Sequence, residues 1–267
     1  MCTLIALHRC VDGAGLVMAA NRDEYYDRPS EGPALRTTPF GKILAPLDVR
    51  AGGTWLGVNP HRVVVALTNR PTEARDPALP SRGHVVVDAL AGASAVDSAR
   101  ILGSIPAGSH NPFNAFVSDG ERAFALVYQE KGELRELEPG AHVIGNADPD
   151  DRSNPKISHV LDQAQRAQEL PVGEALDALS SVCRQHDCAA PDSSWGSLGD
   201  PCVHLDEYGT RSSLLLTLDA GGEDADRLRY ADGPPCRAEY DDFTALLAEL
   251  TQTGSCGRDE LQARTGT

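Results

Sequence analysis

Short apolar runs separated by turn signals dominate the N-terminal half of the chain, and this pattern predicts many β-strands. Thr3–Arg9 and Gly15–Ala20 are two such runs, and the turn between them, Val11-Asp12-Gly13-Ala14, is typical of a hairpin. Further runs of the same kind predict strands at Thr54–Val58, Arg62–Thr68, Phe113–Val117, Ala123–Tyr128, Leu134–Leu137, His142–Ile144, Arg211–Leu218 and Arg227–Tyr230.

Other segments carry the spacing of amphipathic helices, and prolines mark where two of them begin. The predicted helices are Arg82–Leu90, Ala95–Leu102, a third that starts at Asn154 or Pro155 and runs to Gln168, Pro171–Arg184 and Asp241–Leu250. Because strands and helices do not alternate one by one, a parallel, doubly wound sheet is disfavoured. The order predicts an α+β fold in which antiparallel sheets are flanked by helices.

Three segments show neither pattern. Pro29–Arg50 is rich in proline and is predicted to be a long irregular surface loop, and Asp187–Gly199 is predicted to be a polar loop. Thr251–Thr267 contains few apolar residues and is predicted to be a disordered tail. Since no linker divides the rest, residues 1–250 are expected to form a single domain.

The charge balance narrows the range of partners. The chain of 267 residues has 39 acidic and 24 basic side chains, a formal net charge of −15. Nucleic acids and anionic membrane surfaces attract basic patches, so this charge argues against both kinds of partner. The chain contains no run of about 18 apolar residues, so we expect no membrane-spanning helix. The N-terminus lacks the pattern of a secretory signal, which leads us to expect a cytoplasmic protein.

The seven cysteines are an odd set in a chain that is too large to need disulfides, and we expect free thiols in a reducing cytosol. Five Cys and His side chains follow one another between residues 183 and 204, but their spacing does not match a zinc motif. These are Cys183, His186, Cys188, Cys202 and His204. We therefore expect no metal and no cofactor.

Cys2 is the cysteine with the most distinctive position. Removal of Met1 would leave it with both a thiol and a free α-amine, whose reference pKa is about 7.7–8.0. One residue would then supply a nucleophile and a base together. The alternative is that Cys2 is merely the buried first residue of a strand.

Polar residues at predicted strand ends could complete such a site. Acyl transfer needs hydrogen-bond donors at the developing oxyanion, and the amide of Asn69 is one. Asp23 could orient the α-amine, and Arg22 or Arg211 could lower the pKa of the Cys2 thiol. The alternatives are a solvated charged turn at Asn21–Glu24, a structural ion pair at Arg211 and strand capping by Asn69.

Six motifs, in this order, resemble those of the transport-and-Golgi-organisation, or NRDE, family over about residues 1–220. They are Met-Cys-Thr-Leu at the start, Asn21-Arg22-Asp23-Glu24, Gly52-Gly53-Thr54-Trp55-Leu56-Gly57, Ala66-Leu67-Thr68-Asn69-Arg70, Ser81-Arg82-Gly83 and Tyr208-Gly209-Thr210-Arg211-Ser212-Ser213. The resemblance implies an N-terminal-nucleophile hydrolase fold, an αββα sandwich of two antiparallel sheets flanked by helices.

More distantly, the chain is similar to bile-salt hydrolases, penicillin acylases and acid ceramidases, whose nucleophile is an N-terminal cysteine. This likeness implies catalytic roles for Cys2, Asp23, Asn69, Asn146 and Arg211, with Arg22 as a substitute cation. Those hydrolases have an arginine three positions before the acid, where this chain has Ala20. From their place in the motifs, Asn21, Trp55 and Arg82 are expected to bind substrate.

The main functional hypothesis is acyl transfer through a thioester at Cys2. The acyl group would pass from a small-molecule donor to water, which is hydrolysis, or to an amine, which forms an amide as in secondary-metabolite biosynthesis. A carrier-protein donor would need a local basic patch, for which Arg62, Arg70, Arg75 and Arg82 are candidates.

The alternative hypothesis is a protein that binds and moves haem, a lipid or an acyl group without catalysis. The resemblance to the eukaryotic members of the family raises this possibility. Cys2, His8, His61 and His84 would then be candidate haem ligands, although they form no diagnostic motif.

Overall fold

The computed structural model describes residues 2–73, 75–186, 196–219 and 226–252. In these residues two antiparallel β-sheets pack face to face, and helices cover the outer face of each sheet. The predicted α+β class and αββα layering are therefore confirmed.

The described strands and helices follow one another in a largely strand-first order. The strands are β1 (Cys2–Val11), β2 (Ala14–Tyr25), β3 (Ser30–Thr38), β4 (Gly41–Asp48), β5 (Leu56–Val58), β6 (Val64–Asn69), β7 (Phe113–Ser118), β8 (Ala123–Tyr128), β9 (Gly132–Glu136), β10 (Gly140–Ile144), β11 (Tyr208–Asp219), β12 (Arg227–Ala231) and β13 (Asp241–Asp242). The helices are α1 (Arg82–Ala89), α2 (Ala95–Gly103), α3 (Pro155–Ala167), α4 (Val172–Cys183) and α5 (244–252).

The first sheet is built around the N-terminal hairpin. Its six strands run in the order β10-β1-β2-β11-β12-β13, so β1 and β2 lie in its interior. The second sheet has seven strands in sequence order, from β3 to β9. Every strand pair within the described ranges is antiparallel, and consecutive strands are mostly joined by short turns.

Alternation of side chains along β1 produces two separate cores. Leu4 and Ala6 face the second sheet and belong to the core between the sheets, together with Phe116 of β7. Ile5 and Leu7 point the other way, into a core shared with α3 and α4. A third core joins the second sheet to α1 and α2. Side chains on neighbouring strand positions therefore enter different layers.

The prediction of an irregular loop over Pro29–Arg50 is wrong. These residues form the β3–β4 hairpin, with Gly41 in the left-handed region at φ +122°. Proline cannot donate a ladder hydrogen bond, but β3 is an edge strand, and its register shifts between Glu31 and Ala34, around Pro33. Edge position and an irregular register let the sheet accept a proline-rich sequence.

The C-terminal helix begins later than predicted and extends past its predicted end at Leu250. Asp241–Asp242 pairs with β12 instead of starting the helix, and the Oδ1 atom of Asp242 accepts a hydrogen bond from the backbone of Thr244. The helix continues to residue 252 and buries Thr251, which the prediction placed in the tail. The remainder of that tail, and residues 187–195 of the predicted polar loop, lie outside the described residues.

Gly196–Gly199, the end of that predicted loop, forms a short 3-10 turn. None of the helices in the described ranges combines the length and apolarity needed to cross a membrane.

Candidate active site

Cys2 lies at the start of β1, opposite Arg22 of β2. Residues directly opposite on antiparallel strands share a face, so both side chains point between the sheets, as Leu4 does. Cys2 is 8% exposed. Burial raises the pKa of the thiol and the charge of Asp23 adds to this, while Arg22 acts in the opposite direction.

The guanidinium of Arg22 is the cation beside this thiol. Its Cζ atom lies 4.1 Å from the centre of the Trp55 ring, an arrangement that favours a cation. Its Nη2 atom is 3.9 Å from Asp48, while Nη1 is buried and has no hydrogen-bond partner within the described ranges. Burial lowers the pKa of Arg22, and the charge on Cys2 opposes this. Arg22 thus has hydrogen-bonding capacity left for an anionic thiolate or ligand.

Asp23 is buried on the opposite face of the same strand, toward α3. Its Oδ1 atom accepts a hydrogen bond of 2.7 Å from the Thr210 hydroxyl, and Lys156 of α3 lies 3.9 Å from Oδ2. The Tyr208 hydroxyl donates to its backbone oxygen at 2.9 Å. Burial raises the pKa of Asp23, and Lys156 and Thr210 pull it down again.

Arg211 forms an irregularity in β11 opposite this pair. Thr210 pairs with Asp23 and Ser212 pairs with Arg22, so Arg211 is an extra residue in the register. It is half-buried, its Nε atom has no hydrogen-bond partner in the part of the chain that the structure describes, and it is not among the residues lining the cleft described below. Burial raises the pKa of Tyr230, and the charges of both Arg22 and Arg211 lower it, so these two guanidinium groups lie near the same hydroxyl.

A cleft of about 410 Å³ opens where β1 begins and β4 and β6 end. Cys2, Trp55, Asn69 and Arg82 all border it, so four of the predicted site residues meet here along with Arg22 and Asp23. The lining contains more arginines than carboxylates, in a chain whose net charge is strongly negative. The charged lining residues are Arg22, Arg28, Arg50, Arg75, Arg82, Asp23, Glu24, Asp48 and Asp76.

Asp48 organises one wall of this cleft and was missed by sequence reasoning. Its Oδ2 atom accepts hydrogen bonds from Arg28, at 2.8 Å from Nε and 2.7 Å from Nη2. Its Oδ1 atom accepts from the backbone N–H groups of Arg50 and Ala51. Because Arg28 balances most of the negative charge of Asp48, the positive charge of Arg22 is only weakly compensated by that carboxylate.

A close approach of two backbones positions the opposite wall. A Cβ atom on Gly53 would lie 2.6 Å from the carbonyl carbon of Gly83, so only glycine fits there. The backbone N–H of Thr54 donates to the Gly83 oxygen at 3.2 Å instead of joining the sheet, which explains why β5 starts later than predicted. This contact sets Trp55 and Arg82 on neighbouring parts of the cleft. Burial and the charge of Arg75 lower the pKa of Arg82 to about 10.

Asn146 contacts Asn69 and does not line the cleft. Its side-chain amide donates to the backbone oxygen of Asn69. Beside it, Asn114 of β7 donates to the backbone oxygens of Gly145 and Ala147, at 3.0 and 2.7 Å. These bonds fix the end of β6 to the loop after β10. Asn114 is a polar residue in an apolar, fully buried strand, a signal that could have identified it from the sequence.

Asn21 faces away from the thiol. Its Nδ2 atom donates to the backbone oxygens of Cys183 and Pro201, at 2.8 and 3.0 Å, on the side of the sheet that packs against α4. The structure therefore gives Asn21 a contact with the protein itself and does not bring it to the space between the sheets.

The four arginines considered for a basic patch do not form one surface. Arg75 and Arg82 line the cleft. Arg70 is tied to Asp148 at 2.8 Å. Arg62 precedes β6, roughly 20 Å from Arg70 at the strand's other end, and its guanidinium is bound to Asp226.

Comparisons with known proteins agree with this fold. A chain titled penicillin V acylase from Agrobacterium tumefaciens matches with a TM-score of 0.52 and 12% identity, over 91% of this chain and 97% of its own. A variant of conjugated bile acid hydrolase from Clostridium perfringens matches with a TM-score of 0.55 and 10% identity, over 91% and 93%. At such identities the likeness shows the shared N-terminal-nucleophile hydrolase fold.

Sequence similarity is closer to another group of proteins. The Transport and Golgi organization protein 2 homologs of Homo sapiens and Bos taurus are 30% and 29% identical over 232 residues, which cover 78% of this chain and 83% of each relative. The family model described as Transport and Golgi organisation 2 matches residues 1–225. The chain therefore belongs to the Transport and Golgi organisation 2 family.

Proposed function

We propose that this protein is an acyl-transferring enzyme whose nucleophile is Cys2. The observation that carries the proposal is the position of that thiol. It lies at the start of an interior strand, at the edge of a cleft between the two sheets, beside the incompletely partnered guanidinium of Arg22. A thiol that must only fill space in a core has no need of an adjacent buried cation or an open cleft.

The proposed reaction starts once Met1 has been removed. The Cys2 thiol passes its proton to its own α-amine, and the thiolate attacks the carbonyl carbon of the acyl donor. Asn69 donates a hydrogen bond to the resulting oxyanion, and Asp23 holds the α-ammonium group. When the tetrahedral intermediate collapses, the α-ammonium returns the proton to the leaving group and a thioester remains on Cys2.

The second half of the reaction releases the acyl group. Water or an amine attacks the thioester carbonyl, the α-amine of Cys2 accepts its proton, and the thiol is restored as the thiolate leaves and is reprotonated. Hydrolysis and amide formation share every residue up to this step. The two reactions are distinguished by their product, a free acid or an amide, when an amine is present and competes with water.

The charge of the cleft supports an anionic substrate. Arginines supply planar donors suited to carboxylate and phosphate groups. Of the lining arginines, Arg28 is occupied by Asp48, Arg22 has only the 3.9 Å contact with the same carboxylate, and Arg75 forms no ion pair among the described residues. We propose that a carboxylate or phosphate on the acyl donor binds these arginines while its carbonyl group reaches Cys2.

Non-catalytic haem binding has no comparable support. His8 is buried in β1, His61 lies in the β5–β6 turn, and His84 on α1 contacts the backbone oxygen of Ala51. None of these three histidines is among the residues lining the cleft with Cys2. Ligation of one haem iron by Cys2 and a histidine together would require that histidine to face the same cleft.

The experiment combines intact mass spectrometry with an acyl-transfer assay. We expect a mass that lacks Met1, and an added acyl group when the protein meets an activated thioester with an anionic acyl chain. Cys2→Ala should remove the adduct and lower the turnover rate by on the order of 10³-fold or more.

Cys10→Ser is the matched control, because Cys10 is another free cysteine on the same strand. It should keep both the adduct and the rate. Retention of Met1 in the active protein, or full activity of Cys2→Ala, would overturn the proposal.

A further inference from the structure

A cluster of two thiols and one imidazole lies outside the cleft. The Sγ atoms of Cys202 and Cys236 are 3.7 Å apart, and the Nε2 atom of His204 is 3.6 Å from the first and 3.2 Å from the second. Both cysteines are free thiols. Nothing in the proposed acyl transfer uses these three residues.

Two of the three distances match the edges of a zinc tetrahedron, and the third, from His204 Nε2 to Cys236 Sγ at 3.2 Å, is about 0.4 Å shorter than such an edge. Ligand bonds of about 2.3 Å to sulfur and about 2.0–2.1 Å to nitrogen place two sulfurs roughly 3.8 Å apart and a sulfur and a nitrogen roughly 3.6 Å apart. A disulfide would need about 2.05 Å between the sulfurs. The geometry points to a zinc site formed by Cys202, His204 and Cys236.

The donor set also fits this metal. Thiolate and imidazole ligands select zinc among the common divalent ions, whereas magnesium and calcium require oxygen ligands. The fourth ligand is then water or His186, whose ring packs edge-on against the His204 ring with 5.6 Å between the centroids. Three protein ligands with water, including two cysteines and a histidine, form a known class of zinc site.

The fold brings these ligands together from two segments without regular structure. Cys202 and His204 precede β11, where the backbone of Cys202 donates to the Gln185 oxygen and His204 bridges to Gly209. Cys236 lies in the turn between β12 and β13, which hydrogen bonds from Arg237 and Ala238 to the Pro234 oxygen define. Zinc would tie the two segments together across one face of the first sheet.

The zinc site would also support the surroundings of Asp23. The backbone N–H of Val203 donates to the hydroxyl of Thr210, which itself donates to Asp23. The oxygen of Pro201 accepts from Asn21. The segment that zinc would anchor therefore packs directly behind β2, although metal binding does not depend on acyl transfer.

The test measures metal in the full-length, untagged protein purified under reducing conditions. We expect about one zinc ion per chain by elemental mass spectrometry. Replacement by Co²⁺ should produce a thiolate-to-cobalt charge-transfer band and the strong visible bands of a tetrahedral ion. Cys236→Ser and His204→Gln should each lower the retained zinc at least about tenfold. Cys10→Ser, which changes a cysteine on β1, should retain it.

Three results would overturn the zinc site. The first is wild-type protein that retains no zinc after reconstitution and gives no thiolate-to-cobalt band, a result that does not depend on how the variants fold. The second is unchanged zinc content in both Cys236→Ser and His204→Gln. The third is a Cys202–Cys236 disulfide, detected as a loss of two hydrogens, in protein handled under the same reducing conditions.

Discussion

Cys2 and the Cys202–Cys236 pair are the same residue type in opposite surroundings. Cys2 has a guanidinium and a cleft beside it. Cys202 has a second thiol and an imidazole within hydrogen-bonding distance. A single thiol next to a cation and a substrate-sized space is equipped for attack on a carbonyl group, whereas two thiols that converge on an imidazole are equipped to share a metal.

The comparison teaches that neighbours, more than burial, assign the role of a cysteine. Cys2 and Cys202 are both buried, at 8% and 0% exposure. Burial alone disfavours the thiolate in either place. What differs is the group that compensates the thiolate: Arg22 at one site and, in our inference, zinc at the other. Predictions that change one site and leave the other intact therefore test the comparison directly.

After the loss of Cys2 itself, the largest expected effect comes from the proposed oxyanion donor. Asn69→Ala should lower the rate of acyl transfer about 100- to 1000-fold, because a donor to the developing charge is lost in a water-poor site. Its zinc content should stay at the wild-type level. Both quantities are measured on one preparation, by steady-state kinetics and elemental analysis.

Asn111→Ala is the matched control, since Asn111 also lines the cleft but bonds the backbone of Asp76. It should slow acyl transfer much less than Asn69→Ala. Equal rates for Asn69→Ala and wild type would remove Asn69 from the proposed mechanism.

The fold could be predicted from the sequence because its strands alternate clearly and its motifs are spread along most of the chain. The β3–β4 hairpin could not be predicted, because β3 tolerates Pro33 only as an edge strand of the sheet. Edge position is a property of the assembled sheet, and no local pattern in Pro29–Arg50 reveals it.

The site could be predicted only in part, for a related reason. The sequence grouped Asn21 to Glu24 as one motif, but strand alternation sends Arg22 to the cleft and Asn21 to the helix layer. Likewise the spacing around Cys202 and His204 is irregular, and the third member of that cluster comes from a turn beyond β12. Contacts between distant segments are set by tertiary packing.

An intermediate effect is expected from the cation beside the nucleophile. The charge of Arg22 lowers the pKa of the Cys2 thiol. Arg22→Gln should raise that pKa, and each unit of increase lowers the thiolate fraction about tenfold at a pH below the pKa. Alkylation of Cys2 by iodoacetamide, followed by peptide mass spectrometry across a pH series, measures this change.

Arg28→Gln is the control, because it removes another lining arginine that is already occupied by Asp48. It should leave Cys2 alkylation close to wild type. Alkylation of Cys202 and Cys236 in the zinc-loaded protein should be slow and independent of both substitutions. If Arg22→Gln and Arg28→Gln slow Cys2 equally, the cleft's overall charge, and not Arg22, controls the thiol.

The smallest expected effect is on the free energy of unfolding and not on the rate, and it tests the protonation of Asp23. Burial raises the pKa of Asp23 above its ordinary value of 3.8. Between that value and the raised pKa, the folded state holds a proton that the unfolded state has released. The stability contributed by the protonated form is therefore present at low pH and lost as pH rises through the folded pKa, with a slope of at most about 1.4 kcal/mol per pH unit.

Asp23→Asn should flatten this part of the curve of unfolding free energy against pH, because an amide does not titrate and can still accept from Thr210. Glu133→Gln, the same kind of change on the exposed edge strand β9, should leave the slope as it is in the wild type. Urea unfolding at several acidic pH values gives both curves. An unchanged slope in Asp23→Asn would mean that Lys156 and Thr210 keep the Asp23 carboxylate ionised despite its burial. Asp23, the proposed partner of the Cys2 α-ammonium group, would then be charged throughout the working pH range.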